Sequence, residues 1–325
     1  MKDIIFHIGL PKCASTTLQH KIFKNELGYL GTAKTMPNNL AKELQRIAPV
    51  GPSISWSKSE ARRWCKKVSD IAKQNWPETE RLIASSEMYS NNNKLKNRPI
   101  IPFLKYFSEH IWTEGEVKVI MVIRNQSDRI ASGYAQVSRA NIKASQNDFE
   151  EYIYKYIKKN DKYMDYALWV KDLHHSFGKK NVCILLMEDI KTVKFWQDLN
   201  SFCNLKNFDI QTMLSNDTVL NSKKVSKNSW KLEEYNPSEK AKIKVDNYLG
   251  LLWPHSIATG LRLAVSSRIK NVLCKFYTNK SLNLKRGNEI MLTDTLRSEL
   301  RNHYKKSNIE LEKLLNRDLS KLNYY

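Results

Sequence analysis

Residues 6–19 read FHIGLPKCASTTLQ. A short apolar strand (Ile4, Ile5, Phe6, Ile8) runs into Gly9 and Pro11. A cluster of Lys, Ser and Thr follows, and a helical pattern predicts a helix over roughly Thr16 to Leu27. Consecutive backbone N–H groups at such a loop form a donor-lined hollow, and the helix dipole favours negative charge there, so the loop suits a phosphate-like anion. Lys12 adds a full positive charge, and Ser15, Thr16 and Thr17 add hydroxyl donors. Ser or Thr ahead of a helix is also the commonest N-cap, so the hydroxyls alone have a purely structural explanation. The spelling departs from the nucleotide loop G-x-x-x-x-G-K-[ST]: Lys12 comes three residues before Ser15, and there is no second Gly.

The strand-then-helix pattern recurs along the chain. RLIASSEMYS (81–90) is a compact apolar strand that runs out into Ser85, Ser86 and Glu87, preceded by a helical pattern from about Ser59 to Asn75 carrying Trp64, Val68 and Ile71. VKVIMVIRNQSDRIASGYAQ holds a near-continuous apolar run at 117–123, the pattern of a strand buried on both faces, and a Ser- and Ala-rich helix begins after Asn125. NVCILLMEDI (181–190) supplies a fourth strand after a helix through Tyr166, Leu168, Trp169 and Leu173. Alternating strands and helices imply an α/β fold with a central parallel sheet flanked by helices, and ligands at the C-terminal strand edge. Beyond residue 205 the chain reads as helical and basic, with aromatic anchors at Trp230, Tyr235, Tyr248, Trp253 and Phe276, and it ends in an amphipathic helix capped by Thr293 or Asp294. The organisation read from this is one domain over 1–325: a core over about 1–205, a helical, basic extension or lid over about 206–290, and a C-terminal helix over about 293–318.

A chain of 325 residues with 41% hydrophobic content can bury a substantial core. Its 54 Lys and Arg against 33 Asp and Glu give a net charge of +21 and a pI near 9.6. That field favours polyanionic partners, including an acidic polysaccharide, a phosphorylated cofactor or, peripherally, an anionic membrane surface. Nucleic acid is not favoured, since the basic residues are dispersed and no recognition motif is present. Five scattered cysteines without a C-x-x-C pair propose neither a disulfide framework nor a zinc site. Together with a start that leads directly into the first strand, they point to the cytoplasm. Asn125, Asn216 and Asn279 fit the N-x-[ST] triplet, and a glycan at Asn125 would obstruct a ligand site there.

HIGLPKCASTTLQ resembles the 5′-phosphosulfate-binding loop of sulfotransferases that use 3′-phosphoadenosine 5′-phosphosulfate (PAPS), usually written P-K-[TS]-[GA]-[TS]-[TS]-[ST]-L. It departs at Cys13, where a hydroxyl residue is common, and at Ala14, where Gly is common. The family's second motif, an Arg after a strand and a Ser eight residues later, is matched by Arg124 and Ser132, with Arg129 nearby. Two such motifs in order, each leaving a strand, are far more specific than either alone. ALWVKDLHHSFGKKNVCILLMEDI and LRSELRNHYKKSNIELEKLLNRDLS are also similar to bacterial members. The resemblance implies PAPS as donor and 3′,5′-ADP (PAP) as product, held by Pro11, Lys12, Cys13, Ala14, Ser15, Thr16, Thr17, Arg124 and Ser132. Lys12 would meet the bridging oxygen as the S–O bond breaks, an electrostatic task that asks for no metal.

In-line transfer to a hydroxyl needs a general base on the face opposite the leaving group. Glu87, at a strand C-terminal edge, is the first candidate, and His20, one turn into the loop helix, is the second; the bland alternatives are a turn cap and a surface residue. His7, inside the strand, reads as a packed core residue, and His174 and His175 as a helix C-terminus. The basic runs at 221–231 and 283–289 are donor- or acceptor-binding loops or simply solvated ones; Lys285, Arg286 and Gly287 resemble the R-K-G segment that closes over the 3′-phosphate in animal cytosolic members. The function implied is transfer of a sulfuryl group to a hydroxyl of a carbohydrate or glycoconjugate. The alternatives are a small secondary metabolite as acceptor, or a P-loop kinase, which the early lysine and missing Gly disfavour.

Overall fold

The computed structural model describes residues 3–26, 28, 29, 81–85, 87, 115–159, 162–206, 208–215, 224–241, 243, 269, 271–277 and 286–325, with single positions at 66, 70, 74, 101, 104, 105, 108, 109 and 112. Its strands are β1 (Asp3–His7), β2 (Arg81–Ser85), β3 (Val117–Ile123), β4 (Val182–Leu186), β5 (Ser229–Lys231) and β6 (Glu289–Met291). The helices are α1 (Ser15–Thr17), α2 (Gln126–Val137), α3 (Gln146–Lys159), α4 (Tyr166–Phe177), α5 (Val193–Cys203), α6 (Ile210–Ser215) and α7 (Asp294–Leu315).

β1 to β4 form one parallel sheet in the order β2-β1-β3-β4. The four strands read from the sequence are the four found, and helices flank them. Every residue of β3 except Lys118 is buried, as its unbroken apolar run requires of a central strand. Lys118 answers Asp3 across 3.0 Å on the neighbouring strand. The order places the C-terminal ends of β1 and β3 side by side, with Ile8 donating to Ile120 across 3.0 Å just beyond the last β1–β3 pair, His7 and Ile120. The loops after these two strands therefore share one sheet edge.

α1 is a single turn that continues into a π-helical turn, Leu18–Ile22, and a 3₁₀ turn, Phe23–Asn25. Helical backbone thus begins at Ser15, one residue before the sequence reading places it. The stretch from Ser59 to Asn75 lies outside the described residues except for Lys66, Asp70 and Gln74, which are helical. Gly178, with φ 75°, ends α4, whose last turn holds His174 and His175, the helix C-terminus expected there. α7 is capped by Thr293, whose hydroxyl accepts from the Leu296 N–H across 3.3 Å.

The main core lies on the sheet, with Trp169, Trp196, Leu311 and Tyr324 closing it from α4, α5 and the C-terminal segment. A second cluster joins α2, α3 and α7 around Trp230, Ile290, Leu296 and Leu300. The extension is not purely helical: β5 and β6 pair antiparallel, Trp230 opposite Ile290. Strands of three residues are too short to leave a periodic signal. Trp230 is the buried anchor expected of it, whereas Phe276 is 56% exposed, and Tyr248 and Trp253 lie outside the described residues.

Candidate active site

The loop between β1 and α1 is built on alternating backbone conformations. Lys12 (φ 70°) and Ala14 (φ 60°, ψ 12°) are left-handed, Cys13 between them is not, and Ser15 begins the helix. Alternation of this kind is the backbone pattern found in anion-binding nests. It also settles what Ala14 does in place of Gly: it adopts the glycine conformation at a cost of roughly 1–2 kcal/mol. Gly9 cannot be replaced so easily. A Cβ there would stand 2.7 Å from Ser15 Oγ and 3.1 Å from His7 Cε1.

The side chains of this loop divide between core and cleft. Cys13, one of the loop residues expected at the donor, has its thiol fully buried in the main core, and its N–H turns back to the Leu10 carbonyl across 3.2 Å. Burial pushes that thiol up to about 12 despite the nearby guanidinium groups of Arg129 and Arg124. Cys13 therefore brings shape to the loop. Thr17 is likewise fully buried, and Pro11, Lys12, Ala14 and Thr16 are half-exposed along it.

Glu87 reaches this loop from beyond β2. It hydrogen-bonds Ser15 and lies within electrostatic reach of Lys12 and Arg129. Burial raises its carboxyl above the ordinary glutamate range, and Lys12, the Ser15 hydrogen bond and Arg129 only partly reverse the rise. Behind it, His7 Nδ1 and Ser85 Oγ lie 2.7 Å apart on paired strand positions, and Gln19 Nε2 donates to Ser85 Oγ across 3.1 Å. His7 is fully buried, and burial lowers its imidazole to about 3, so it is a neutral core residue as read from the sequence. His20 does not join this cluster: it is exposed on the π-helical turn, one residue past the inward-facing Gln19.

The second motif sits beside the first. Asn125 caps α2, its side-chain oxygen accepting from the Asp128 N–H across 2.9 Å, while its own N–H and side-chain amide donate to Glu188 Oε1 at 2.8 and 2.9 Å. Asn125 is buried, which closes it to glycosylation in the folded chain. Arg124 leaves the tip of β3, and its carbonyl accepts from Tyr166 Oη across 2.8 Å. Arg129, one turn into α2, donates from Nε to the Pro11 carbonyl across 3.2 Å and so ties the two motifs together. Ser132 is buried on the same helix, four residues after Asp128.

Sequence reasoning missed the residues that converge on Asp128. Its carboxylate meets Arg124 at 3.3 Å, Lys224 at 2.8 Å and Arg297 at 2.9 Å. Burial works against its charge, but the three cations outweigh burial and hold the carboxyl below the usual aspartate range. Only the Arg124–Asp128 pair had a sequence signal, its i,i+4 spacing. Arg286 is a second departure: it donates to the Ser138 carbonyl at 2.7 Å and the Asn141 carbonyl at 3.2 Å, beyond the C-terminal end of α2. Lys285 lies outside the described residues. Among the described residues of the two basic runs, Lys224 reaches Asp128 in the N-terminal half of α2.

The parallel sheet, with the loops after its two central strands on one edge, is an α/β arrangement of the kind that binds ligands at its C-terminal strand ends. Residues 2–246 match the family model described as the sulfotransferase domain, and the chain belongs to that family: it is a sulfotransferase. No curated protein matches the chain. Among solved structures, the sulfotransferase from Alicyclobacillus acidocaldarius is similar at 14% identity over 98% of this chain and 97% of that one, with a TM-score of 0.49. The sulfotransferase domain from the Synechococcus PCC 7002 olefin synthase is similar at 13% identity over 86% and 94%, with a TM-score of 0.36.

Proposed function

We propose that the protein transfers the sulfuryl group of PAPS to a hydroxyl of a carbohydrate or glycoconjugate, releasing 3′,5′-ADP. The observation that carries this reading is the adjacency of the β1 and β3 tips, which sets the Lys12 nest and the Arg124–Ser132 motif on one sheet edge joined by the Arg129–Pro11 bond. One adenosine derivative with an anion at each end can span two such points. The residues suit the donor's chemistry at both: a loop with a lysine for the phosphosulfate, and an arginine at a strand tip with a serine on the helix that follows for the ribose phosphate.

When bound, the donor supplies an activated sulfuryl group on a phosphate leaving group. In this reading Lys12 and the nest hold positive charge where the leaving oxygen develops its negative charge. Arg124 and Ser132 hold the ribose phosphate, and Thr16 lines the loop mouth. Glu87 takes the proton of the acceptor hydroxyl; its raised pKa suits that task, and its contact with Ser15 sets it beside the loop. His20 is set aside as base because it faces solvent. The P-loop kinase alternative does not survive the family assignment.

The +21 charge supports an acidic sugar acceptor and leaves room for peripheral contact with an anionic membrane. Among the described residues, Cys13, Cys183 and Cys203 are free thiols, which supports a cytoplasmic site of action. The arrangement as one sulfotransferase domain with a basic lid belongs to the same reading. The test is transfer of labelled sulfate from PAPS to a panel of glycans and small hydroxyl metabolites. Label moving to a sugar by the wild type and not by Lys12→Ala supports the proposal. Label moving only to non-sugar metabolites transfers the acceptor assignment to that class.

A further inference from the structure

The peptide bond that follows Arg124 is held at both of its polar ends. Its carbonyl accepts from Tyr166 Oη across 2.8 Å, and its N–H, that of Asn125, donates to Glu188 Oε1 across 2.8 Å. Turning this peptide unit would break both hydrogen bonds, so two side chains from other elements set the direction in which Arg124 leaves β3. Tyr166 opens α4, and Glu188 lies two residues past the end of β4, the strand paired with β3. Tyr166 Oη is shared with Arg129, whose Nη1 donates to it across 3.2 Å, which leaves Glu188 as the partner that acts on this peptide more selectively.

The same carboxylate reaches the head of Arg124 through Asn125. Asn125 Nδ2 donates to Glu188 Oε1 across 2.9 Å, while Asn125 Oδ1 accepts from the Asp128 N–H across 2.9 Å. Asp128 in turn meets the Arg124 guanidinium at 3.3 Å. Main chain and guanidinium of Arg124 are thus referred to one anchor. That anchor is tied on its far side as well: Tyr324 Oη donates to Glu188 Oε2 across 3.2 Å, and the Tyr324 carbonyl accepts from Asn308 Nδ2 of α7 across 2.7 Å. Tyr324 is buried in the main core, so the tie is a firm one. The donors from Asn125 and Tyr324 are neutral, and Glu188 accepts from each, so its contribution to these bonds is reach and direction.

We infer that Glu188 is a positioning residue for Arg124. It holds the Arg124–Asn125 peptide and, through the Asn125 side chain, the first turn of α2, and so aims the guanidinium at the phosphate on the donor's ribose. Tyr324 fixes the anchor from the segment after α7, which couples that segment to donor binding. This rests on the PAPS reading above and adds to it two residues that neither motif contains.

The test is calorimetric titration of the full chain and of Glu188→Asp, Glu188→Gln and Tyr324→Phe with 3′,5′-ADP and, separately, with 5′-AMP, which lacks the ribose phosphate. Glu188→Asp keeps the charge and loses one methylene of reach; Glu188→Gln keeps the reach and an acceptor oxygen and loses the charge. Glu188→Asp is expected to weaken 3′,5′-ADP binding about tenfold and to leave 5′-AMP binding within about twofold, whereas Glu188→Gln should bind both within about threefold of wild type. Tyr324→Phe should weaken 3′,5′-ADP binding about threefold with 5′-AMP unchanged, and it carries the test if Glu188→Asp does not fold. The opposite order, with Glu188→Asp matching wild type and Glu188→Gln tightening 3′,5′-ADP binding, is the pattern of a bare negative charge beside an anion and overturns the inference. Equal loss of both nucleotides in Glu188→Asp, or unchanged 3′,5′-ADP binding by Tyr324→Phe, overturns it too and leaves the donor reading standing. Wild type that does not distinguish 3′,5′-ADP from 5′-AMP overturns the donor reading and this inference with it.

Discussion

Arg129 Nε donates to the Pro11 carbonyl across 3.2 Å, so the helix after β3 holds the loop after β1. The same guanidinium donates from Nη1 to Tyr166 Oη at 3.2 Å and approaches Met164 Sδ at 3.1 Å, and it stacks 4.6 Å from the centre of the Tyr163 ring. These partners are all neutral. A buried fork with neutral partners fixes direction, and here the direction fixed is that of the phosphate loop. Arg129→Lys keeps the charge and loses the fork, so it should weaken 3′,5′-ADP binding about tenfold. Titration calorimetry checks this, and unchanged affinity would show that charge alone suffices at this position.

Ala14 pays for a left-handed backbone that Gly would adopt freely. Relief of roughly 1–2 kcal/mol is partly cancelled by about 0.4–1 kcal/mol of added chain entropy in the unfolded state. Ala14→Gly should therefore lie between neutral and about 1.5 kcal/mol more stable, and Ala14→Val should be less stable than wild type by more than about 1 kcal/mol. Urea midpoints at constant slope measure both. A valine variant as stable as wild type would show that the loop relaxes out of the nest.

Glu87 must be ionised to accept a proton, and burial raises its pKa. The acid limb of the rate profile should accordingly lie above the ordinary glutamate range, with turnover rising as pH rises through it. Glu87→Gln should lower turnover by about a hundredfold or more and leave 3′,5′-ADP binding intact, whereas His20→Ala should be close to wild type in both. A pH–rate series on the three proteins decides the assignment. Near-normal turnover by Glu87→Gln removes Glu87 from the mechanism.

The buried His7 ring sets a pH dependence of stability. Its folded pKa, about 3, lies below its ordinary value of 6.5, so the unfolded chain binds more protons between these values and stability falls as pH falls through that window. His7→Gln, which can still bond Ser85, should flatten this limb. Thermal melts between pH 4 and 7 on both proteins show it directly, and parallel curves would contradict the assignment.

Much of this was legible locally. The unbroken apolar run at 117–123 marks a central strand because a strand covered on both faces has no polar side to show. Thr293 could be read as a cap because a cap depends on its immediate neighbours. What was not legible depends on distant pairing. Lys224 and Arg297 lie 96 and 169 positions from Asp128, and no period or spacing connects them. The same holds for Gln126 and Asn308, a buried pair 182 positions apart that exchanges hydrogen bonds at 2.9 and 3.0 Å and locks α7 against the start of α2. That the Cys13 and Thr17 side chains turn inward was not legible either, because a loop motif does not say which of its side chains face the core.

The central claim is that one ligand with a ribose phosphate and a 5′-terminal anion bridges the tips of β1 and β3. The most direct measurement is the melting temperature of the full chain with saturating 3′,5′-ADP and, separately, with ATP and magnesium. At a hundredfold excess over its dissociation constant, a ligand of the native state alone contributes about 2.7 kcal/mol. The account predicts a rise of several degrees with 3′,5′-ADP, a smaller one with ATP and magnesium, and loss of the 3′,5′-ADP effect in Arg124→Ala. Equal shifts with both nucleotides, or a larger one with ATP and magnesium, would contradict it.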